Sequence, residues 1–168
     1  RFETKDDASP VTEFDRGVEQ TLRAMIRDRY PGHGIVGEEF PPENPDAEFV
    51  WIMDPIDGTK SFVVGIPVFT TLIALCRGSR PVIGVIDAAS TRDRWLGVEG
   101  RATTQNGVPV RTSGRTTLDG ATVSWSNPEV VLEEQRAGRD VLNSRTAWRV
   151  FGAAAYGVGR LASGAVDI

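Results

Sequence analysis

The stretch from Trp51 to Phe62 limits what this chain can fold into more than any other part of it. Its first residues are apolar, which is typical of a buried strand that ends at Met53. Two carboxylates follow, Asp54 and Asp57. Between them, Pro55 fixes one backbone dihedral and has no amide hydrogen to donate. The predicted strand therefore delivers two acids to its carboxyl end.

A glycine turn completes this stretch. Gly58 follows the second acid, at a point where the chain must turn sharply or approach a ligand closely. Thr59 adds a hydroxyl and an amide just past the turn. A purely structural turn needs neither an apolar strand before it nor a second acid. The combination is typical of a site for metal ions and an anion.

The composition narrows the class of partner. The chain has 168 residues, 40% hydrophobic and 25% charged, which is ordinary for a globular protein with one substantial core. Its formal net charge of −4 argues against nucleic acid or an anionic membrane as the main partner. No apolar run approaches membrane-spanning length, and no secretory signal is visible. Cys76 is the single cysteine, so no intrachain disulfide is possible and a cytoplasmic location is expected. It lies in an apolar run and is expected to be a small buried hydrophobe.

An amphipathic helix is predicted to begin after Thr12. This threonine is a good N-cap, and Asp15 three residues later completes a pattern that resembles a capping box. Apolar residues recur every four positions from Phe14 to Tyr30, which predicts one apolar stripe facing the core. Pro31 and Gly32 end the helix. The charged residues expected to lie mostly away from the stripe are Arg16, Glu19, Arg23, Arg27 and Asp28.

A mainly antiparallel sheet is predicted for the middle of the chain. Short β-rich runs alternate with turn signals, of which Asn106-Gly107 is the strongest and Arg77-Gly78-Ser79-Arg80 is another. The predicted strands are Gly34 to Glu39, Trp51 to Met53, Val68 to Cys76, Pro81 to Ile86 and Arg92 to Val98.

A second α/β layer is predicted to begin near Ala121. Its expected elements are a strand from Ala121 to Trp125, a helix from Pro128 to Leu142, a strand from Thr146 to Phe151 and a helix from Gly152 to Ser163. Gly157 and Gly159 weaken the last prediction, because glycine is a poor helix former. Ala165 to Ile168 begins a further element. The predicted domains are therefore residues 1–120, an N-terminal metal-binding half with the antiparallel sheet, and residues 121–168, the start of a C-terminal α/β half.

Carboxylates lie at structural transitions in three segments. Asp15 is near a helix start, Glu38 and Glu39 end one strand, and Asp54 and Asp57 end another. Buried carboxylates are costly unless cations neutralise them, and an all-oxygen ligand set favours Mg²⁺ over zinc. If the three segments converge, they form a magnesium site.

Simpler roles apply to several polar residues. Asp15 taken alone is more readily a capping residue than a catalyst. Glu43, Glu48 and Glu99 are expected to be solvated. His33, the only histidine, lies in a Pro-Gly-His-Gly turn and is expected to be a surface loop residue.

Several segments together carry a family resemblance. Gly37-Glu38-Glu39 and the segment from Trp51 to Thr59 resemble the first signature of the inositol monophosphatase family of Mg²⁺-dependent, lithium-sensitive phosphatases. Ser9 to Asp15 resembles the family's earlier helix-opening segment, and Arg149 to Ala154 resembles its later substrate segment. The resemblance covers most of the chain in the right order. Within the family, Asp57 to Phe62 and Arg94 to Gly97 look closest to the histidinol-phosphate phosphatase branch.

The resemblance implies a fold and a role for each matching residue. The implied fold is α/β (α+β): the layered αβαβα sandwich of inositol monophosphatase and fructose-1,6-bisphosphatase type, incomplete at both ends. The implied ligands of the first metal are Glu38, Asp54 and the carbonyl of Ile56, and those of the second are Asp54 and Asp57. Asp15 would pair with Thr59 to orient the attacking water, which makes Asp15, Thr59 and Glu38 the implied catalytic residues. The implied substrate-binding residues are Asp57, Gly58, Thr59, Gly152 and Ala153, with the amides of Gly58 and Thr59 receiving the phosphate.

The predicted function is Mg²⁺-dependent hydrolysis of a small phosphorylated metabolite, with histidinol phosphate or an inositol phosphate as the substrate. Two departures from the family pattern bear on activity. The family's second signature, a Trp-Asp-x-Ala-Ala-Gly segment whose Asp binds the second metal, is expected beyond Ile168. Ala153 also stands where the family often has Asp or Thr. The alternative is therefore a catalytically impaired metal- or phosphate-binding fragment, and a purely structural role is a third possibility. The resemblance also implies a homodimer.

Overall fold

The computed structural model of the protein describes residues 2–4, 10–127 and 132–168. Its helices and strands follow one another along the chain as β1 (Phe2–Thr4), β2 (Pro10–Thr12), α1 (Glu13–Arg29), β3 (Gly34–Gly37), β4 (Phe49–Asp57), α2 (Thr59–Val63), β5 (Thr70–Arg77), β6 (Arg80–Ala88), β7 (Asp93–Val98), β8 (Thr104–Gln105), β9 (Val108–Pro109), β10 (Thr122–Trp125), a 3₁₀ turn (Glu133–Gln135), α3 (Arg136–Arg145), β11 (Trp148–Phe151) and α4 (Ala154–Ala162).

One large mixed sheet organises the fold. Its seven strands lie in the order β3-β4-β5-β6-β7-β8-β9. β3 pairs with β4 in parallel, and every later pair is antiparallel. The turns at Gly78-Ser79 and at Asn106-Gly107 join neighbouring antiparallel strands, which confirms both hairpin predictions. The predicted α/β fold class is confirmed.

Helix α1 begins as predicted but buries a different face. Thr12 caps the helix, and Asp15 returns the hydrogen bond, so the capping box is complete. The predicted apolar stripe is wrong in part, because Phe14 and Met25 are 56% and 55% exposed. Glu19 and Arg23, expected to lie elsewhere, are buried because they form an ion pair with each other.

The core between α1 and the large sheet is apolar. Ile26 of α1, Ile35 of β3 and Met53 of β4 are buried against one another. Leu22 and Trp51 pack around this cluster. Because each fully buried apolar side chain stabilises the fold by roughly 1.5–3 kcal/mol, these contacts fix α1 on β3 and β4.

His33 has more contacts than a surface loop residue. Its ring is half-buried and stacks against Tyr30 and Phe49, with centroids 4.9 and 5.2 Å away. Trp51 Nε1 donates a hydrogen bond to His33 Nδ1 at 3.1 Å. His33 does lie in the loop between α1 and β3, as expected, but it is half-buried because its ring packs in an aromatic cluster at the end of α1.

A second, smaller sheet starts near the predicted boundary. β10 and β11 pair in parallel, and the terminal segment runs beside β10, with Ser124 N–H donating to the Ile168 carbonyl at 2.7 Å. Part of the helix predicted from Pro128 to Leu142 falls on residues 128–131, outside the described residues. The remainder forms the 3₁₀ turn and α3, which continues to Arg145. The division into residues 1–120 and 121–168 stays a prediction.

Helix α4 packs closely through its glycines. A Cβ at Gly157 would lie 2.6 Å from Ser124 Oγ, and a Cβ at Gly159 would lie 2.6 Å from the Trp95 ring. These glycines therefore permit close helix packing, and the predicted helix forms despite them. Cys76 is buried as expected. Among the described residues, the structure contains no helix with the length and apolar character needed to cross a membrane.

Candidate metal and phosphate site

The two acids of the opening stretch lie within β4, beside an irregularity in the sheet. The strand runs to Asp57 and does not end at Met53 as predicted. Asp54 pairs with Leu72 and Asp57 pairs with Thr70, so two residues of β4 face one residue of β5. Such a bulge turns side chains away from the regular alternation of a strand.

Glu38 and Asp54 meet because β3 and β4 are parallel neighbours. Gly37 pairs with Met53 in the register, so the next residue of each segment carries a carboxylate at the same edge of the sheet. Burial, the charge of Glu38, a hydrogen bond between the two carboxyl groups and the charge of Asp57 raise the pKa of Asp54 to about 7. The structure therefore brings Glu38 and Asp54 together, which meets for these two acids the condition set in the sequence analysis for a magnesium site.

The donor atoms fit a hard divalent cation. Asp54 Oδ1 is buried, and it has no hydrogen-bond partner among the described residues. A buried carboxylate oxygen without a donor is costly, and a cation beside it removes that cost. As the side chains stand, residues 2–4, 10–127 and 132–168 contain no group of three or more His, Cys, Asp or Glu placed to hold a metal ion. The pair of Glu38 and Asp54 is thus the nucleus of the candidate site.

Asp57 connects the strand to the later substrate segment. Its Oδ2 accepts hydrogen bonds from the Ala155 amide at 2.7 Å and from Thr70 Oγ1 at 3.1 Å. Gly152 and Ala154 on the turn before Ala155 have positive φ angles of 77° and 46°. The chain thus reaches Asp57 at Ala155, two residues after Ala153, and the assignment of Gly152 and Ala153 to substrate binding stays a prediction.

The turn after β4 has the conformation that its glycine predicts. Gly58 has a φ of 85°, and a Cβ there would lie 3.0 Å from the Val68 carbonyl oxygen. The first amides of α2, which Gly58 caps, have no partner within the helix. Thr59 Oγ1 donates to the Ile56 carbonyl at 2.9 Å. That carbonyl, a proposed metal ligand, has a second lone pair for another partner.

Asp15 is near this site but is occupied in the capping box. Its Oδ2 accepts hydrogen bonds from the Thr12 amide at 2.7 Å and hydroxyl at 2.6 Å. Phe14 and Phe62 pack edge to face at 5.8 Å, which places the start of α1 next to α2. No hydrogen bond joins Asp15 to Thr59 within the described part of the chain. The structure confirms the capping role of Asp15, and its pairing with Thr59 stays a prediction.

A cavity of about 340 Å³ lies beside Asp57. Its walls include Asp57, Ala154 and Leu161, and Ser124 and Ser126 add hydroxyl groups. The volume and the mixed lining are suitable for a small polar metabolite.

Sequence reasoning missed several residues that support the site. Thr70 and Ala155 both hydrogen-bond Asp57, and Glu19 accepts a hydrogen bond from the Glu39 amide at 2.8 Å. Only the Glu19–Arg23 pair had a usable signal, namely opposite charges four residues apart on one helix. The Ala155 contact uses a backbone amide, so the side chain carries no signal for it.

The comparison with solved structures agrees with this architecture. An inositol monophosphatase from Zymomonas mobilis is 36% identical to the chain and matches it with a TM-score of 0.86, over 99% of this chain and 64% of that one. The chain therefore has an α/β fold of the inositol monophosphatase type, with two carboxylates near the carboxyl end of β4.

The family follows from the sequence profile. The profile of the Inositol monophosphatase family matches residues 2–168, and the chain therefore belongs to that family. It is 39% identical over 178 aligned positions to the histidinol-phosphatase of Mycobacterium tuberculosis, covering 100% of this chain and 67% of that protein. It is 38% identical over 166 positions to the chloroplastic bifunctional phosphatase IMPL2 of Arabidopsis thaliana, covering 98% and 48%. The chain thus spans about half to two thirds of the length of these curated relatives.

Proposed function

We propose that this chain carries the metal- and phosphate-binding region of a Mg²⁺-dependent phosphomonoesterase that acts on a small phosphorylated metabolite. The observation that carries the proposal is Oδ1 of Asp54, which is buried and has no hydrogen-bond partner among residues 2–4, 10–127 and 132–168. The Asp54 carboxyl group interacts with that of Glu38. An oxygen in that position suits a divalent cation, and membership of a phosphatase family supports the same chemistry.

The proposed metal ligands are the oxygen atoms at the end of β4 and after β3. Glu38, Asp54 and the Ile56 carbonyl would hold the first Mg²⁺, and Asp54 with Asp57 would hold the second. Bound Mg²⁺ supplies positive charge to the phosphoryl group and lowers the pKa of a water molecule. The bulge in β4 supports this assignment because it turns neighbouring side chains of one strand in different directions.

Phosphoryl transfer depends mainly on positioning and on charge neutralisation. The amides of Gly58 and Thr59, at the start of α2, would receive the phosphate oxygens. Asp15, held at the first turn of α1, would act with Thr59 to orient the attacking water. Gly152 and Ala153 would contact the rest of the substrate at the cavity beside Asp57, where the serine hydroxyls add hydrogen-bonding groups.

Histidinol phosphate is the favoured substrate, and an inositol monophosphate is the second candidate. The choice is supported by the relatives named histidinol-phosphatase, which are 39%, 35% and 34% identical to this chain. The same family membership supports inhibition by Li⁺, a cytoplasmic location and a homodimer as further parts of the proposal.

A phosphate-release assay tests the proposed reaction. The natural protein that carries this chain is incubated with histidinol phosphate or inositol 1-phosphate, with and without Mg²⁺ and Li⁺. Release that requires Mg²⁺, falls with Li⁺ and is lost in Asp54→Asn supports the proposal. Glu99→Gln, at an exposed acid paired with Arg80, is the matched control and should retain full activity. Binding of Mg²⁺ without turnover of any phosphomonoester would instead favour the impaired metal-binding protein.

A further inference from the structure

A buried ion pair lies behind the segment that carries Glu38. Glu19 and Arg23, one turn apart on α1, have side chains that are 0% and 3% exposed. Arg23 Nε donates to Glu19 Oε1 at 2.8 Å. Taking two charges out of water is expensive, so a pair of this kind often stabilises a fold no more than well-packed apolar residues would. Its position in the molecule therefore calls for another explanation.

Glu19 contacts the segment on both sides of Glu38. Its Oε2 accepts a hydrogen bond from the Glu39 amide at 2.8 Å. On the other side of Glu38, a Cβ at Gly37 would overlap the Glu19 carboxylate. Glycine at this position leaves room for the carboxylate to lie directly against the backbone. The backbone of Glu38 is thus held immediately before and immediately after the residue.

Arg23 makes further contacts with the loop that follows Glu39. Its Nη2 donates to the Phe40 carbonyl at 3.1 Å, and its Nη1 donates to Glu43 Oε1 at 2.7 Å. The guanidinium also lies 5.8 Å from the centre of the Phe40 ring. Two side chains of α1 therefore fix the loop from Gly37 to Glu43, while the Glu38 side chain itself stays exposed at the Asp54 carboxyl group.

We propose that Glu19, supported by Arg23, is a positioning residue that sets the Glu38 carboxylate opposite Asp54 for metal binding. The inference rests on the proposed function, because it takes Glu38 as a metal ligand. Glu19 itself touches neither the metal nor the substrate. It acts through the Gly37 and Glu39 backbone, and groups that orient metal ligands in this way change metal affinity by about 10- to 100-fold when removed.

The test measures Mn²⁺ affinity by electron paramagnetic resonance, and stability by urea unfolding, on the same variants. Glu19→Asp keeps the charge but shortens the reach to the Glu39 amide, and Gly37→Ala displaces the Glu19 carboxylate. Each is expected to weaken Mn²⁺ binding by about 10-fold or more while unfolding remains cooperative. Glu99→Gln is the matched control: it removes an exposed carboxylate that pairs with Arg80, and its Mn²⁺ affinity should stay within about twofold of wild type.

The variants also separate this inference from the proposed function. If Glu38→Gln weakens Mn²⁺ binding but folded Glu19→Asp and Gly37→Ala bind it as wild type does, the positioning role is wrong and the metal site stands. If Glu38→Gln leaves affinity unchanged, the ligand assignment itself fails. Should either test variant not fold, Glu19→Gln decides, because it keeps the shape of the side chain but has one acceptor oxygen, so it cannot accept from both Arg23 and the Glu39 amide. An affinity about 10-fold weaker supports positioning, and a wild-type affinity overturns it.

Discussion

The Asp57 carboxylate accepts a hydrogen bond from the backbone amide of Ala155, a residue 98 positions later in the chain, at 2.7 Å. This contact joins the acid-bearing end of β4 to the first turn of α4. The large sheet and helix α4 therefore meet at a residue that we propose for both metal and substrate binding. Substitutions on either side of this contact should therefore change metal binding at the proposed site.

The Thr70 hydroxyl is expected to orient the Asp57 carboxylate for metal binding. Thr70→Val removes a donor from the carboxylate while keeping the shape of a side chain that is 1% exposed. Loss of a group that orients a metal ligand should weaken Mg²⁺ binding on the order of 10-fold, measured by isothermal titration calorimetry. Thr71→Val is the neighbouring control, since that hydroxyl donates to the Pro55 carbonyl. Equal affinities for the two variants would contradict the role of Thr70.

The hydrogen bond from Tyr156 to Asp93 is expected to stabilise the packing of α4 on the large sheet. The Tyr156 hydroxyl donates to Asp93 Oδ2 at 2.9 Å, so Tyr156→Phe should lower the free energy of unfolding by about 1 kcal/mol. Tyr30→Phe is the control, because Tyr30 is the other of the two tyrosines and is 44% exposed. Urea unfolding of both variants measures the difference. A loss at Tyr30 as large as the loss at Tyr156 would show that the Asp93 contact contributes nothing specific.

Two helical glycines should respond to alanine with opposite signs. Gly159→Ala places a Cβ 2.6 Å from the Trp95 ring, and overpacking of this kind costs about 1–3 kcal/mol. A Cβ added at Gly17 of α1 would meet no neighbouring atom within 4 Å, so Gly17→Ala should stabilise the protein by roughly 0.5–1 kcal/mol through helix propensity. Thermal unfolding of the two variants checks both signs. A stabilising Gly159→Ala would mean that α4 does not pack on Trp95 as described.

Glu43 is expected to make stability depend on acid pH. The hydrogen bond from Arg27, against the opposing effect of burial and with help from Arg23, lowers the pKa of Glu43 from 4.5 to about 2. A carboxyl whose pKa is lower in the folded state stabilises the fold above its unfolded pKa and loses that effect as the pH falls towards its folded pKa. Because Glu43 is 38% exposed, solvent screening limits the contribution to about 1 kcal/mol.

The Glu43→Gln variant measures this contribution. Wild type and variant should differ by about 1 kcal/mol in the free energy of unfolding at pH 7, and the difference should shrink between pH 4.5 and pH 3. Glu48→Gln, at an exposed residue in the same part of the chain, is the control for removing one surface charge. A difference that stays constant down to pH 3 would contradict the assigned pKa.

Local signals predicted much of the fold. The capping box at Thr12 and the glycine turn at Asn106-Gly107 act over a few residues, so the sequence is sufficient to locate them. The buried face of α1 was predicted wrongly for a physical reason. A rule that places charged residues outside cannot anticipate that Glu19 and Arg23 find partners about 20 positions later, at Glu39 and Glu43.

Some features of the candidate site could likewise be predicted from the sequence, and others could not. The meeting of Glu38 and Asp54 follows from two apolar segments that each end in an acid, once those segments pair in parallel. Solvation was expected for Glu43, and this holds only in part: its side chain is 38% exposed, but two arginines of α1 bind it. The Asp57–Ala155 contact was not predictable, because it depends on how a turn with a positive φ at Ala154 positions a backbone amide.

The most direct test of the proposed metal site is a Mg²⁺ titration of the wild-type protein and of Asp54→Asn by calorimetry at pH 8, where the Asp54 carboxyl should be ionised. We expect saturable binding to the wild-type protein and a loss of affinity of at least about 100-fold in the variant, because a ligand shared by both proposed metal sites is removed. Glu99→Gln should bind as wild type does. Equal Mg²⁺ affinity for wild type and Asp54→Asn, with both proteins folded, would contradict the proposal that the end of β4 is a metal site.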